Sequence, residues 1–218
     1  MTTDIFIKTC EHDAGYHAYC LKSIEKFCTG FRDTVVIHGE DHPPARAYLT
    51  QQIMKLHADT YTDADLILVT DSDTLFTEHV TPESFMRDGK PIWYVTPWND
   101  EMLRNPGTKA WFDVMSSFFG EPPPAEMMRR QPFMFPREVL PSLREYCFTK
   151  FGKTITSYVY DAGVFSEWNV LGMFCWLNFR DSFYWMDTTI ECPPPLVRQF
   201  WSHAPLAQSI TEIESILK

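Results

Sequence analysis

The chain is short of positive charge. Its 218 residues carry 19 Lys and Arg against 29 Asp and Glu, a formal net charge of -10, and its longest basic cluster is Arg129-Arg130. Proteins that bind nucleic acid usually present a basic face, so the composition argues against that class and, more weakly, against docking on anionic membranes. A substrate that carries phosphates would need a metal ion or helix N-termini to offset its charge.

Long apolar runs and paired cysteine motifs are also lacking. No stretch approaches the ~18 continuous apolar residues that cross a membrane, and the six cysteines include no Cys-x-x-Cys pair. The first residues do not resemble a secretory signal, which has a basic segment followed by a long apolar one. We therefore expect reduced cysteines and a cytoplasmic protein. The length fits one domain, and 44% hydrophobic residues is enough for a large core.

Apolar runs and helical periodicities alternate along the first third of the chain. They predict strands at 5–7, 34–38 and 66–70, separated by helices at 13–27 and 45–58. This order is typical of an α/β, Rossmann-like fold in which helices flank a mostly parallel central sheet. Ligands of such sheets bind at the carboxyl ends of the strands. Three polar clusters lie at those ends: Lys8-Thr9, His38-Gly39 and Asp71-Ser72-Asp73.

The second half is less regular. It predicts strands at 91–95 and 183–186, a polar loop at 98–108, and helices at 109–119, 137–148, 166–177 and 210–217. The Pro-rich stretch 120–124 breaks this half and is the best candidate for a subdomain seam or a mobile loop.

The central motif is Asp71-Ser72-Asp73, which directly follows the most apolar strand. Residues i and i+2 of an extended chain point the same way, and two carboxylates so placed repel each other unless a cation lies between them. Mg²⁺ and Mn²⁺ prefer oxygen ligands and keep positions open for substrate phosphates. The alternative is an ordinary turn, because Asp and Ser are common turn residues. The position at the end of this strand favours the metal site.

This segment resembles the Asp-x-Asp motif of GT-A glycosyltransferases. The run from Arg46 through Gln51-Gln52 and Leu56 to Phe76 is similar to the helix and strand that precede their metal site. The whole chain also resembles the glycosyltransferase domain at the N-terminus of a multidomain chlorovirus protein. The resemblance implies one GT-A domain over residues 1–218, with a nucleotide-sugar-binding half at 1–100 and an acceptor and catalytic half at 101–218. It also implies further domains C-terminal to it in a longer polypeptide, and host cytoplasm if the chain is viral.

The activity implied is transfer of a hexose or 6-deoxyhexose from a UDP-sugar to a hydroxyl of a glycan acceptor, such as one carried on a protein. The resemblance favours glucose or a rhamnose-like sugar, a divalent metal (Mn²⁺ or Mg²⁺), and retention slightly over inversion at the anomeric centre. No nucleic-acid partner and no membrane span are expected.

Family precedent also assigns roles at the nucleotide end. The last Asp of the motif binds the metal and the first touches the ribose or a metal-bound water, which gives Asp73 and Asp71 those roles, with His203 as a distant metal ligand. The residues expected to meet the nucleotide-sugar are Lys8, Thr9, Cys10, His38, Arg46, Gln52, Asp71 and Ser72. For Arg46 and Gln52, a solvated helix face remains an equal alternative.

Two acidic residues are candidates for catalysis, Glu167 and, second, Asp161. Glu167 begins an apolar helical stretch, and a buried carboxylate is costly unless it is paired or functional. It would act as base to the acceptor hydroxyl or flank the anomeric carbon. The alternative is a first-turn Glu on a helix capped by Ser166. The sugar and acceptor candidates are Trp98, Trp168 and Trp201, for which core packing stays an open alternative, and Gln131 in a predicted acceptor-side loop.

Other classes of protein are also compatible with the sequence. A nucleotidyltransferase or another nucleotide-sugar enzyme would use a similar sheet, but it typically carries a Gly-rich loop after the first strand. Here Thr9-Cys10-Glu11-His12 stands in that place, with no glycine before Gly15. A non-catalytic nucleotide- or carbohydrate-binding module and a metal-dependent hydrolase are also compatible with the sequence.

Overall fold

The computed structural model describes residues 1–39, 44–201 and 205–218. The strands in this part of the chain are β1 Thr3–Thr9, β2 Thr34–His38, β3 Leu66–Asp71, β4 Thr74–Phe76, β5 Met86–Arg87, β6 Lys90–Pro97, β7 Ala125–Glu126, β8 Phe133–Pro136, β9 Tyr184–Asp187 and β10 Val197–Gln199. The helices are α1 Ala14–Phe27, α2 Pro44–Lys55, α3 Asp100–Arg104, α4 Pro106–Phe119, α5 Val139–Phe151, α6 Ile155–Ala162, α7 Glu167–Asn178 and α8 Leu206–Ile216.

The central sheet has the strand order β2-β1-β3-β8. Strand β1 pairs in parallel with both β2 and β3, and only β8 runs antiparallel. β1 and β3 are buried along nearly their whole length, as strands covered on both faces should be. The register places Thr9 opposite His38 and Lys8 opposite Asp71. The predicted β-α-β-α-β order is therefore confirmed, and the three polar clusters meet at one edge.

Two smaller groups of strands complete the fold. Strand β6 pairs antiparallel with β5 and β7 and parallel with β9. Strand β10 pairs antiparallel with β4, which puts Gln199 opposite Thr74. This pairing returns a late segment of the chain to the residues that directly follow Asp73.

Helix α7 is the buried helix of the C-terminal half. Its residues from Glu167 to Cys175 are all buried, and apart from Glu167 and Asn169 they are apolar or glycine, as expected for a helix enclosed by protein. Gly172 permits this close packing, because a Cβ there would lie 2.8 Å from the Met127 Cβ. Glu167 therefore stands at the first turn of a helix that the core holds on all sides.

The predicted loop at 98–108 was wrong. Helix α3 and the start of α4 occupy it, because Asn99 and Asn105 accept hydrogen bonds from the first backbone N–H groups of these helices. Helix α6, where no helix was predicted, begins in the same way at Thr154, whose side chain accepts from the Ser157 N–H. None of the helices described has the length and hydropathy needed to cross a bilayer.

Candidate active site

A cavity of about 380 Å³ opens at the carboxyl ends of β1 and β2. It is lined by Thr9, Cys10, Glu11, Ala14, His17, His38 and Gly39. Three of these, Thr9, Cys10 and His38, were predicted as nucleotide contacts, and the structure brings them together. His17 was missed, since nothing in its spacing along α1 links it to His38. The two imidazole rings meet edge to face at 6.0 Å.

His17 is the less solvated of the two histidines. Burial lowers its pKa, and the neighbouring His38 lowers it further. Its buried Nε2 has no hydrogen-bond partner among the described residues. The imidazole is therefore disposed to be neutral and offers an unused nitrogen at the cavity wall.

The two aspartates of the motif are held by amide side chains. Gln131, just before β8, accepts the Asp71 N–H at 3.2 Å and donates its Nε2 to the Asp71 carboxylate. Gln199, at the end of β10, places its Nε2 3.2 Å from Asp73 Oδ1 and 3.4 Å from Asp71 Oδ2. Ser72 donates to Asp13 at 3.0 Å. Gln131 bonds Asp71, and its predicted contact with an acceptor stays a prediction. Sequence reasoning missed Gln199, because its role depends on the pairing of β10 with β4.

A buried lysine joins the motif to helix α7. Lys55 Nζ lies 2.6 Å from Asp71 Oδ1 and 3.0 Å from Glu167 Oε1, and its side chain is 3% exposed. Burial opposes the charge of Lys55, but Asp71 and Glu167 outweigh burial and raise its pKa. The sequence carried no signal for this residue, because a lysine in the last turn of a helix is ordinarily solvated and favoured by the helix dipole.

Glu167 has a different electrostatic balance. Burial raises its pKa above the ordinary value, while Lys55 acts in the opposite direction. Its backbone N–H donates to Gln52 Oε1 at 3.1 Å. The predicted capping of this helix by Ser166 is not seen. The Ser166 hydroxyl accepts no backbone N–H of the first turn and instead accepts from Asn169 Nδ2 at 3.0 Å.

Charged side chains gather around the motif. Among the described residues, the Lys55 ammonium faces the carboxylates of Asp71 and Glu167, and Asp73 lies close by and is 8% exposed. Buried charges are costly unless they are paired or functional. A cluster of this kind at the ligand-binding edge of an α/β sheet is typical of a functional site.

The comparisons with known proteins give a fold. No family model matches the sequence, and no curated protein is significantly similar to it. The solved structure of the galactosyltransferase LgtC, in complex with donor and acceptor sugar analogues, matches 98% of this chain and 95% of that chain, with a TM-score of 0.56 and 11% identity. A glycosyltransferase involved in glycosylation of the major capsid of PBCV-1 matches 99% and 100%, with a TM-score of 0.50 and 12% identity.

The chain has the GT-A fold. The predicted α/β fold class is confirmed, as is the resemblance to GT-A enzymes and to a chlorovirus glycosyltransferase. At these identities the likeness concerns the fold alone.

Two predicted residues, Asp161 and Arg46, have their partners away from the cluster. Asp161, on α6, pairs with Lys153 at 2.8 Å and its side chain is 56% exposed. Arg46 is exposed and its guanidinium stacks over the Tyr160 ring at 5.4 Å. The structure therefore brings neither of them to the carboxylates, and Glu167 is left as the catalytic candidate inside the site.

The predicted sugar platforms also differ from one another. Trp168 is 3% exposed and stacks on Phe133 at 4.3 Å, with the Lys55 ammonium 5.4 Å from its ring centroid. It is a core residue without a free face for a sugar. Trp98 is half-buried and packs edge to face on Phe112 at 5.3 Å. Trp201 is 60% exposed.

The residues around the motif fit a divalent cation. Asp71 and Asp73 offer carboxylate oxygens of the hard type that Mg²⁺ and Mn²⁺ take, and substrate phosphates usually complete such a shell. The part of the chain that the structure describes contains no group of three or more His, Cys, Asp or Glu side chains arranged around one metal position. His203, the predicted distant ligand, lies outside the described residues.

Proposed function

We propose that the chain is a metal-dependent glycosyltransferase that moves a hexose or 6-deoxyhexose from a UDP-sugar to a hydroxyl of a glycan acceptor. The observation that carries this proposal is the buried Lys55, which contacts Asp71 on one side and Glu167 on the other. Lys55 thus connects two groups inside a GT-A fold. Asp71 belongs to an acidic motif suited to a cation and a diphosphate, and Glu167 is a carboxylate suited to sugar chemistry.

The nucleotide belongs at the cavity beside β1 and β2. Thr9, His17 and His38 line this cavity. Asp71 lies at the same edge of the sheet, because it is opposite Lys8 in the pairing of β1 with β3. A base and ribose in the cavity would therefore direct the diphosphate toward the acidic motif. With an overall charge of -10, the chain needs a local cation to accept a diphosphate there.

Asp73 and Asp71 would hold that cation, and Mn²⁺ or Mg²⁺ are the ions that suit carboxylate ligands. When bound, the ion supplies positive charge to the leaving diphosphate. A contribution from His203 remains a prediction.

Glu167 is the residue we assign to the sugar. Its position on the enclosed helix α7 fixes its carboxylate, and the ion pair to Lys55 keeps that carboxylate from being a free proton acceptor. A charged carboxylate that flanks the anomeric carbon suits this arrangement better than a general base does. We therefore favour retention over inversion of the anomeric configuration.

Binding measurements test this function directly. Thermal shift and calorimetry with UDP, UDP-glucose, a UDP-6-deoxyhexose and GDP-mannose, each with and without Mn²⁺, should show stabilisation by UDP-sugars that depends on the metal. Asp73→Asn should abolish the metal-dependent part. Asp88→Asn, in an exposed turn at φ 52° where Asn is well tolerated, is the matched control. Binding that ignores the metal, or no binding of any nucleotide sugar, would overturn the proposal.

A transfer assay separates this function from hydrolysis. Release of UDP from the donor should rise when a glycan acceptor is added, and the sugar should appear on that acceptor. Release that is unchanged by every acceptor in a glycan panel would identify a hydrolase instead.

A further inference from the structure

Gln52 is a wholly buried amide whose orientation is determined by its neighbour. It lies on α2, three residues before Lys55 and hence on the same side of the helix, and it is 0% exposed. Its Oε1 accepts the Glu167 N–H at 3.1 Å. Because a backbone N–H can only donate, the amide oxygen must face Glu167 and the amide nitrogen must face the other way.

That nitrogen is unused. Among the described residues, Gln52 Nε2 has no hydrogen-bond partner although it is buried. A primary amide carries two N–H donors there, and buried donors without an acceptor are rare and costly in native proteins. A hydrogen-bond acceptor on a bound ligand would give these two N–H donors a partner.

The Tyr48 side chain is a neighbour of Gln52. Burial and the Glu167 carboxylate raise the pKa of Tyr48, and hydrogen-bonding contact with the Trp111 and Gln52 side chains acts against them. The Tyr48 hydroxyl is therefore close to the Gln52 side chain but forms no hydrogen bond to Gln52 Nε2. It is loosely held, since its bond to the Phe165 carbonyl is 3.4 Å long and the side chain is 44% exposed.

We propose that Gln52 binds one hydroxyl group of the transferred sugar, which takes the place of the Tyr48 hydroxyl, and thereby determines which donor sugar is accepted. A sugar hydroxyl accepts from the Gln52 amide and can donate to the nearby Glu167 carboxylate, so it satisfies both groups at once. The inference rests on the proposed function, because it places the donor sugar between α2 and α7. It assigns Gln52 to the sugar, where the sequence had suggested phosphates or ribose.

Deoxy analogues of the donor provide the test. The UDP-hexose that binds most tightly is titrated calorimetrically with Mn²⁺, together with its monodeoxy analogues. A site built to hydrogen-bond a hydroxyl rejects the analogue that lacks it, so one deoxy analogue should bind at least about 10-fold more weakly than the parent sugar. In Gln52→Met this difference should fall to within about twofold, while the ratios for the remaining analogues stay unchanged.

Three controls make the outcome specific. Tyr48→Phe vacates the hydroxyl position and should keep the full discrimination. Gln208→Met, the same substitution at an exposed position of α8, should change nothing. UDP alone should bind Gln52→Met as it binds the wild type, which excludes a loss that is only structural.

The failures are distinguishable. If the wild type binds no UDP-sugar, the proposed function is wrong and this inference falls with it. If the wild type discriminates against a deoxy analogue and Gln52→Met retains that discrimination, or if Gln52→Met weakens UDP and every analogue equally, only the assignment of Gln52 is overturned.

Discussion

Replacing Lys55 by methionine is the most informative perturbation of the cluster. Methionine preserves the length of the side chain but leaves Asp71 and Glu167 without the ammonium that lies 2.6 and 3.0 Å from them. Removing one partner of a buried ion pair typically costs about 3–5 kcal/mol of the free energy of unfolding, because an uncompensated charge remains. For a domain of this size that corresponds to a fall in Tm of roughly 6–20 °C.

The loss should depend on pH in a definite direction. Burial already raises the pKa of Glu167 above its ordinary value of 4.5, and removing Lys55 takes away the main influence that lowers it. A group whose folded pKa exceeds its unfolded pKa binds more protons when folded, so stability falls as the pH rises above about 4.5. Lys55→Met should therefore lose less stability at about pH 5.5 than at about pH 8, because Glu167 can become neutral in the folded variant.

Urea unfolding of the wild type and the variant at both pH values measures this directly. Lys153→Met is the matched control, since it breaks an exposed pair with Asp161 and should change stability little at either pH. Glu167→Gln added to Lys55→Met should recover part of the loss. If Lys55→Met is as stable as the wild type at about pH 8, or loses the same stability at both pH values, then Lys55 does not compensate the charges of Asp71 and Glu167.

Three further outcomes are expected. Glu167→Gln should lower the rate of sugar transfer by about 10²-fold or more while UDP binding measured by calorimetry stays unchanged, and an unchanged rate would remove Glu167 from the chemistry. Gly172→Ala should lower the free energy of unfolding by about 1–3 kcal/mol, measured with urea, because its Cβ would lie 2.8 Å from the Met127 Cβ. Arg144→Met should cost about 1.5–3 kcal/mol in the same assay, because the guanidinium bonds both oxygens of Asp59 at 2.6 and 2.7 Å, and a loss near zero would contradict this.

The first third of the fold was predictable because its signals are local. The strand residues 66–70 are apolar on both faces, and the helices before them carry their own periodicity, so the alternation predicted a parallel sheet without any knowledge of contacts. Helices α3 and α6 were missed because both are short, and their starts depend on single capping side chains such as Asn99 and Thr154.

The candidate site also combines residues that the sequence predicted with one that only tertiary packing places there. The sequence alone determined that Asp71 and Asp73 stand at the end of a buried strand and that Glu167 starts an apolar helix. Only the tertiary structure decided that Lys55 lies between Asp71 and Glu167, since these residues are 16 and 112 positions from it in the sequence. The role of a side chain that pairs with residues so far away in the sequence depends on how the helices pack and on whether water is excluded from the pair. The periodicity of its own segment predicts neither.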